Sequence, residues 1–258
     1  MSIITIAAQK GGVGKTTTAV NLAAALAKLG EHILLVDTDP QANASDTLGA
    51  AIDGTATMYD LLTQQCDIVE AIQHIGDLDV IAADPLLAGV ETAMAGVIGK
   101  EYRLRDALVP IAGNYDHIIV DTPPQLGLLM LNALTAASEV IIPFTPDRYS
   151  LAGIAQLTDT ISNTRRYLNP SLKITGLLAC KTREREKLTR AVAAELPDIA
   201  RTMGTRVFDA GIRNAMGVRT AQSERHTLFI GTTSVSVAAA DFLELAREIL
   251  NLEEDKNG

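Results

Sequence analysis

Residues Ile3 to Thr17 read IITIAAQKGGVGKTT, and no other stretch constrains the fold of this chain as strongly. A β-branched, apolar run (Ile3, Ile4, Thr5, Ile6, Ala7, Ala8) passes directly into Gly11, Gly12, Gly14, Lys15, Thr16 and Thr17, and the alanine- and leucine-rich pattern of Thr18 to Leu29 follows. The pattern predicts a strand, a glycine loop and a helix. Glycines let the backbone take positive φ and approach a ligand with no Cβ in the way, so that successive N–H groups can face phosphate oxygens. The unpaired N–H groups and dipole of the helix start add to the same positive field. Gly11, Gly12, Val13, Gly14, Lys15, Thr16 and Thr17 are therefore expected to cradle a nucleotide. In that cradle Lys15 reaches the β- and γ-phosphates and the Thr16 hydroxyl coordinates Mg²⁺.

Two further strand ends carry carboxylates. The apolar run His32 to Val36 ends in Asp37-Thr38-Asp39-Pro40-Gln41, and the run His117 to Asp121 ends in Asp121-Thr122-Pro123-Pro124. Continuous apolar runs of this length suit strands of a parallel sheet buried on both faces, and the carboxyl ends of such strands are where open α/β sheets bind ligands. Asp39 is the candidate for orienting an attacking water, Asp37 for supporting the Mg²⁺ shell, and Asp121 for holding Mg²⁺ or its bound water in a Walker B arrangement. Leu78 to Ala83, Glu139 to Phe144, Lys173 to Ala179 and Thr205 to Phe208 read as further strands. Helices are predicted over Met58 to Gln65, Cys66 to Gln73, Pro85 to Ile98, Tyr102 to Ile111, Leu151 to Leu168, Glu184 to Met203 and Ser234 to Leu252. Alternation of this kind implies an α/β fold over residues 1–252, a single domain with a mostly parallel twisted sheet and helices on both faces, followed by an acidic tail at 253–258. The glycine loop after the first strand makes a P-loop NTPase fold the expected form of it.

Composition narrows the function. The chain has 258 residues and no apolar run of about eighteen, so a soluble protein is expected. Cys66 and Cys180 stand at no metal or redox spacing, and the N-terminus enters the first strand with no secretory leader, which together favour a reducing cytoplasm. With no Trp and 3% aromatics, a stacking platform for single-stranded nucleic acid is not expected. Net charge is −9, yet residues 165–225 hold 13 Lys and Arg against 6 Asp and Glu, and the remainder holds 9 against 25. That asymmetry implies an acidic body with one basic surface.

One departure inside the glycine loop is informative. The usual G-x-x-x-x-G-K-[ST] pattern asks for glycine at position 9, where Gln9 stands, and Lys10 directly precedes the glycine pair. This resembles the deviant Walker A signature, K-G-G-x-G-K-[ST], of the ParA/MinD family of P-loop ATPases. Asp37 to Gln41 (D-T-D-P-Q), Asp121 to Pro124 (D-T-P-P) and Ile212-Arg213-Asn214 match further family segments in the same order. The resemblance implies ATP and Mg²⁺ as ligands and a homodimer in the ATP state, in which Lys10 crosses to the phosphates of the other subunit's nucleotide. It also ties Asp39 to hydrolysis and gives D-T-P-P the role of a γ-phosphate switch. The adenine pocket is implied to lie between the Cys180 to Arg183 loop and the segment after Phe208.

Branches of the family separate on residues. The chain ends in NLEEDKNG, acidic where a membrane cycler would carry a basic amphipathic helix, so no membrane attachment is expected. No cysteine lies between Cys66 and Cys180, which removes the iron–sulfur reductases, and a single loop copy removes the tandem arsenite-pump ATPases. The partition branch in its small form remains. That resemblance implies slow ATP hydrolysis stimulated by a ParB-type partner, nonspecific double-stranded DNA binding in the ATP state, and a cytoplasmic, nucleoid-associated protein that segregates plasmid or chromosomal DNA. Lys181, Arg183, Arg185, Lys187, Arg190, Arg213 and Arg219 are the candidates for phosphate contacts, which carry no sequence readout. The alternative reading is a related ATPase that positions a non-DNA cargo, such as a microcompartment or chemosensory cluster, on the nucleoid.

Overall fold

A computed structural model describes residues 1–182, 196–214, 217, 220–221, 224–229 and 236–257. Its centre is an eight-stranded sheet in the order β3-β4-β2-β5-β1-β6-β7-β8. The strands are β1 (Ser2–Ile6), β2 (Ile33–Asp37), β3 (Ile72–Ile75), β4 (Leu78–Ile81), β5 (His117–Asp121), β6 (Glu139–Phe144), β7 (Lys173–Thr182) and β8 (Ile212–Arg213). Every pairing is parallel except β3 with β4. The chain runs from β1 to one side for β2, β4 and β5, and crosses to the other side for β6 and β7. The crevice at this reversal, above the C-terminal ends of β1, β2 and β5, is where a doubly wound sheet takes its ligand.

Why these strands sit in the middle follows from their side chains. Along β1, β2 and β5 successive residues alternate between faces, and both faces are apolar. Ile3, Leu34, Val36, Ile118 and Val120 enter one core, and Ile4, Ile6, Ile33, Leu35 and Ile119 enter the other. Helix α1 (Lys15–Lys28) covers the second face with Ala19, Val20, Leu22, Ala23 and Leu26, packed beside Phe242, Leu245, Ala246 and Ile249 of the last helix (Val237–Asn257). Helices α3 (Met58–Leu62), α6 (Arg103–Leu108), α7 (Leu128–Ala136) and α8 (Arg148–Tyr167) cover the first. Each fully buried Leu or Ile stabilises the fold by about 2 kcal/mol relative to leaving it exposed, so the sheet is held chiefly by its two faces. Polar pins fix registry at the ends. The Thr5 hydroxyl donates to the Ala133 carbonyl at 3.1 Å, and Asn169 Nδ2 donates to the Leu134 and Ala137 carbonyls at 3.0 and 2.6 Å.

Several local expectations are revised. Cys66 to Gln73 is not one helix: α4 spans only Ile68–Ala71, closed at its start by the Asp67 and Glu70 capping box, and Ile72–Ile75 turns back as the antiparallel edge strand β3. Pro85 to Ile98 begins as a 3₁₀ turn at Pro85–Gly89 and becomes helical only over Val90–Ala93. Thr205 to Phe208 pairs with the sheet at a single bridge, Leu177 to Val207, and among the described residues the last strand is instead Ile212–Arg213. Lys173 to Ala179 continues as strand through Thr182, so Cys180, Lys181 and Thr182 belong to β7 and not to a loop. The last helix runs on to Asn257 through most of the stretch read as a tail. Among the described residues no helix is long and apolar enough to cross a membrane.

Candidate nucleotide site

Between the end of β1 and the start of α1 the backbone makes the shape that glycine permits. Gly12 has φ 73° and Gly14 φ 108°, both in the left-handed region, and a Cβ on Gly11 or Gly12 would meet nothing within 4 Å. Gly14 is the N-cap of α1, no side chain caps the helix, and its first turn carries no acidic residue. The start of this fourteen-residue helix therefore has no side-chain cap or acidic group competing with a ligand, under a dipole that favours an anion. A cleft of about 660 Å³ opens here, lined by Gly11, Gly12, Gly14, Lys15, Thr16 and Thr17 on one side. Asp39, Gln41 and Pro124 border it from the strand ends, and Cys180, Lys181, Ile212, Arg213 and Asn214 from β7, β8 and the residue after them.

The two lysines of the loop differ in setting. Lys15 is 7% exposed, its Nζ 3.5 Å from the Lys10 carbonyl oxygen. Burial lowers its proton affinity, and the nearby carboxylates of Asp121 and Asp39 pull it back up. Lys10 is turned outward: its Nζ lies 2.6 Å from Asp147 Oδ2, with 38% of its side chain exposed.

The carboxylates at the strand ends also divide. Asp37 on β2 and Asp121 on β5 pair in register, and both are fully buried. Asp37 is saturated from within: Oδ2 accepts the Ser45 N–H at 2.9 Å and the Ser45 hydroxyl at 2.8 Å, and Oδ1 accepts the Asp39 N–H at 3.0 Å. These donors anchor α2 (Asn43–Leu48) and the Asp39 turn, and leave Asp37 to support the proposed Mg²⁺ shell indirectly, without being a direct ligand. Asp121 is the opposite case, with neither carboxylate oxygen in a hydrogen bond. Burial, and then the charge of Asp37, raise its pKa well above the ordinary carboxylate value, while the adjacent Thr16 hydroxyl and Lys15 ammonium hold it down. Burial likewise lifts Asp37 to about 6, against the lowering effect of its Ser45 hydrogen bonds. A buried, unpartnered carboxylate beside a threonine hydroxyl and a lysine is a poor neighbour for a folded chain and a good one for a divalent cation, whose hard oxygen ligands it supplies. The residues present fit Mg²⁺ at Thr16 and Asp121. Asp39, 6% exposed, keeps its place on the cleft wall, with Oδ1 held by the Gln41 N–H at 3.0 Å.

The basic candidates scatter. Arg183, Arg185, Lys187, Arg190 and Arg219 lie outside the described residues. Arg213 wraps Asp241, its Nε 3.0 Å from Oδ1 and a closer contact from the guanidinium, while it also borders the cleft. Lys181 turns its ammonium onto the Gly12 carbonyl at 2.5 Å. Other basic side chains of the same stretch are paired: Arg201 with Asp198, Arg206 with Glu248 and Arg225 with Asp46. Sequence reasoning missed Ser45 and Asp147. A serine eight residues past a strand-end aspartate and an aspartate after β6 carry no signal on their own.

A glycine cradle at a helix start, a buried lysine and an orphaned strand-end carboxylate, set at the reversal of a parallel sheet, define the P-loop nucleotide-binding class of α/β proteins. Comparison with known proteins agrees. A family model described as an AAA domain matches residues 1–174. The chromosome partitioning protein ParA of Caulobacter vibrioides is 39% identical over 99% of this chain and 96% of its own length. The sporulation initiation inhibitor protein Soj of Bacillus subtilis is 40% identical over 96% and 97%. Among solved structures, cobyrinic acid a,c-diamide synthase from Mycobacterium smegmatis, with a bound ATP analogue and magnesium, superposes with a TM-score of 0.85 at 30% identity, covering 98% of this chain and 96% of that one. The chain belongs to the ParA/MinD family of P-loop ATPases.

Proposed function

We propose that this protein is a ParA-type partition ATPase whose ATP-bound state is a homodimer that binds nonspecific double-stranded DNA and is reset by a ParB-type partner. The observation that carries the nucleotide half of this reading is the pairing of an open glycine cradle with the buried, hydrogen-bond-free carboxylate of Asp121. Lys15 and the N–H groups of the α1 start bind the triphosphate, with Thr16 and Asp121 holding Mg²⁺. Mg²⁺, when bound, neutralises charge on the phosphate oxygens. Asp39 orients a water whose oxygen bonds to the γ-phosphorus as the bond to the β–γ bridging oxygen breaks; the water's proton ends on the released phosphate, and ADP and inorganic phosphate depart. Lys10 lends its cation to the partner's phosphates, which requires it to leave Asp147. Hydrolysis by the protein alone is slow, and the partner accelerates it.

DNA recognition is proposed for the basic stretch between residues 165 and 225, with Arg183, Arg185, Lys187, Arg190 and Arg219 as the contacts and Arg213 as a support held by Asp241. Phosphate contacts of this kind are salt-dependent and indifferent to sequence. A gel-shift series on two unrelated duplexes tests the whole scheme. Binding to both with a slowly hydrolysed ATP analogue, and to neither with ADP, is expected. Equal binding in the two nucleotide states would contradict it.

A further inference from the structure

Lys181 holds φ 56°, a left-handed conformation that disfavours residues carrying a Cβ. The cause is a bulge at the C-terminal end of β7. Cys180 pairs with Ile212 and Thr182 with Arg213, so β7 places two steps of chain against one of β8, and Lys181 is the extra residue. Backbone strain held at the rim of a ligand cleft calls for an account of what it positions. Here it directs the lysine side chain across the cleft wall to the phosphate loop, where Nζ donates to the Gly12 carbonyl at 2.5 Å. Beneath it, Cys180 backs against the same loop: a Cβ on Gly14 would lie 3.7 Å from the Cys180 Cβ, and the Cys180 sulfur is 3.8 Å from the Thr18 hydroxyl.

The Gly12 carbonyl belongs to the Gly12–Val13 peptide. In a planar trans peptide the C=O and N–H point in opposite directions, so a cation that fixes the carbonyl also fixes the direction of the Val13 N–H. Glycine on its N-terminal side leaves this peptide opposed on that side by no side chain, so Val13 alone resists its turning over, which would present an oxygen to a phosphate. We infer that Lys181 is a positioning residue for the nucleoside triphosphate: its ammonium holds the Gly12–Val13 peptide in one orientation, and its methylene stem walls the cleft between the phosphate loop and the Cys180 to Asn214 end. The inference rests on the nucleotide-site reading and reassigns a lysine that its position in a basic stretch placed on DNA.

The test compares Lys181→Met, Lys181→Arg and Lys181→Gly in the full chain. Lys181→Met keeps the stem and removes the cation. Its Kd for a slowly hydrolysed ATP analogue with Mg²⁺ is expected to rise about tenfold, since hydrogen bonds to a charged group are worth that much. KM for ATP rises in step, while kcat at saturating ATP stays within about twofold, the signature of lost ground-state binding. Lys181→Arg recovers affinity to within about threefold of native. Lys181→Gly relieves the left-handed strain, so it melts no lower than native yet binds nucleotide as weakly as Lys181→Met, which separates the effect from unfolding. At saturating nucleotide, duplex affinity and its salt slope remain native. Unchanged nucleotide affinity in Lys181→Met, or a salt slope reduced by about one, overturns the inference in favour of a DNA contact. If the native chain binds nucleotide and Lys15→Ala abolishes it while Lys181→Met does not weaken it, only the role of Lys181 falls. If the native chain binds no nucleotide, the reading beneath it falls as well.

Discussion

Lys15 and Lys10 come from the same loop, carry the same charge and face opposite worlds. Lys15 is buried among Asp121, Asp39 and the α1 start, in a setting that lowers its own proton affinity and is relieved by an incoming polyanion. Lys10 stands outside that pocket on a half-exposed ion pair with Asp147, a contact that solvent and salt weaken and that another anion can displace. In the proposed dimer this difference would let one glycine loop serve two nucleotides. Its inner half would hold the phosphates of its own chain, and its outer half would wait on Asp147, a partner it can give up.

That contrast can be broken by substitution. The largest effect is expected for Lys15→Ala, which should weaken ATP binding by about a hundredfold or more, because it removes a charge-assisted contact and leaves Asp121 and Asp39 facing phosphate without a counterion. Isothermal titration reads it directly. Lys10→Ala should leave nucleotide affinity within about threefold of native while weakening ATP-state dimerisation about tenfold or more, measured by sedimentation across concentration. A loss of nucleotide affinity equal to that of Lys15→Ala would erase the distinction between the two halves.

The buried carboxylate supplies a sharper test of the inner half. In the nucleotide-free chain Asp121 is a destabilising group, so Asp121→Asn should raise the melting temperature by about 2–4 °C while abolishing the gain that Mg²⁺ adds to nucleotide affinity. The pH dependence has a definite sign. Asp37 is raised from 3.8 to about 6 and Asp121 is raised also, so the fold holds these protons more tightly than the unfolded chain does. Stability of the nucleotide-free protein should therefore fall as pH rises through the Asp37 window from 3.8 to about 6, and Mg²⁺ affinity should increase with pH as Asp121 gives up its proton. Calorimetry across that range shows it. The smallest effect is expected for Asp147→Asn. Releasing Lys10 from a part-exposed ion pair should lower the concentration for half-dimerisation with ATP by about threefold, and a higher concentration would contradict the reserve role.

How much of this was legible in the sequence depends on how local the cause was. Strands β1, β2 and β5 announce themselves because each is a continuous apolar run closed by a chemical mark, the glycine loop or an aspartate, and those marks converge on the candidate site; β6 is legible from its apolar run alone. Strand β3 was read as helix because Ile68–Ala71 does start a helix, and only pairing with β4 turns the following Ile72–Ile75 into an edge strand. The two-residue β8 is too short to have a pattern. Asp37 and Asp121 look alike in sequence, each closing an apolar strand, and only the position of Ser45 separates the saturated carboxylate from the orphaned one. The geometry of Lys181 is illegible in sequence for a related reason. A bulge that puts a lysine into the left-handed region leaves no residue signature, since glycine is the usual mark of that conformation.

The most direct measurement is the mass of the protein in solution, by light scattering, with ADP and with a slowly hydrolysed ATP analogue plus Mg²⁺, for the native chain and for Lys10→Ala. The native chain is expected to be monomeric with ADP and to double in mass with the ATP analogue, and Lys10→Ala to bind the analogue yet stay monomeric. A native chain that remains monomeric when saturated with the analogue, or a Lys10→Ala variant that doubles as readily as native, would contradict the proposal that the outer lysine completes the partner's site.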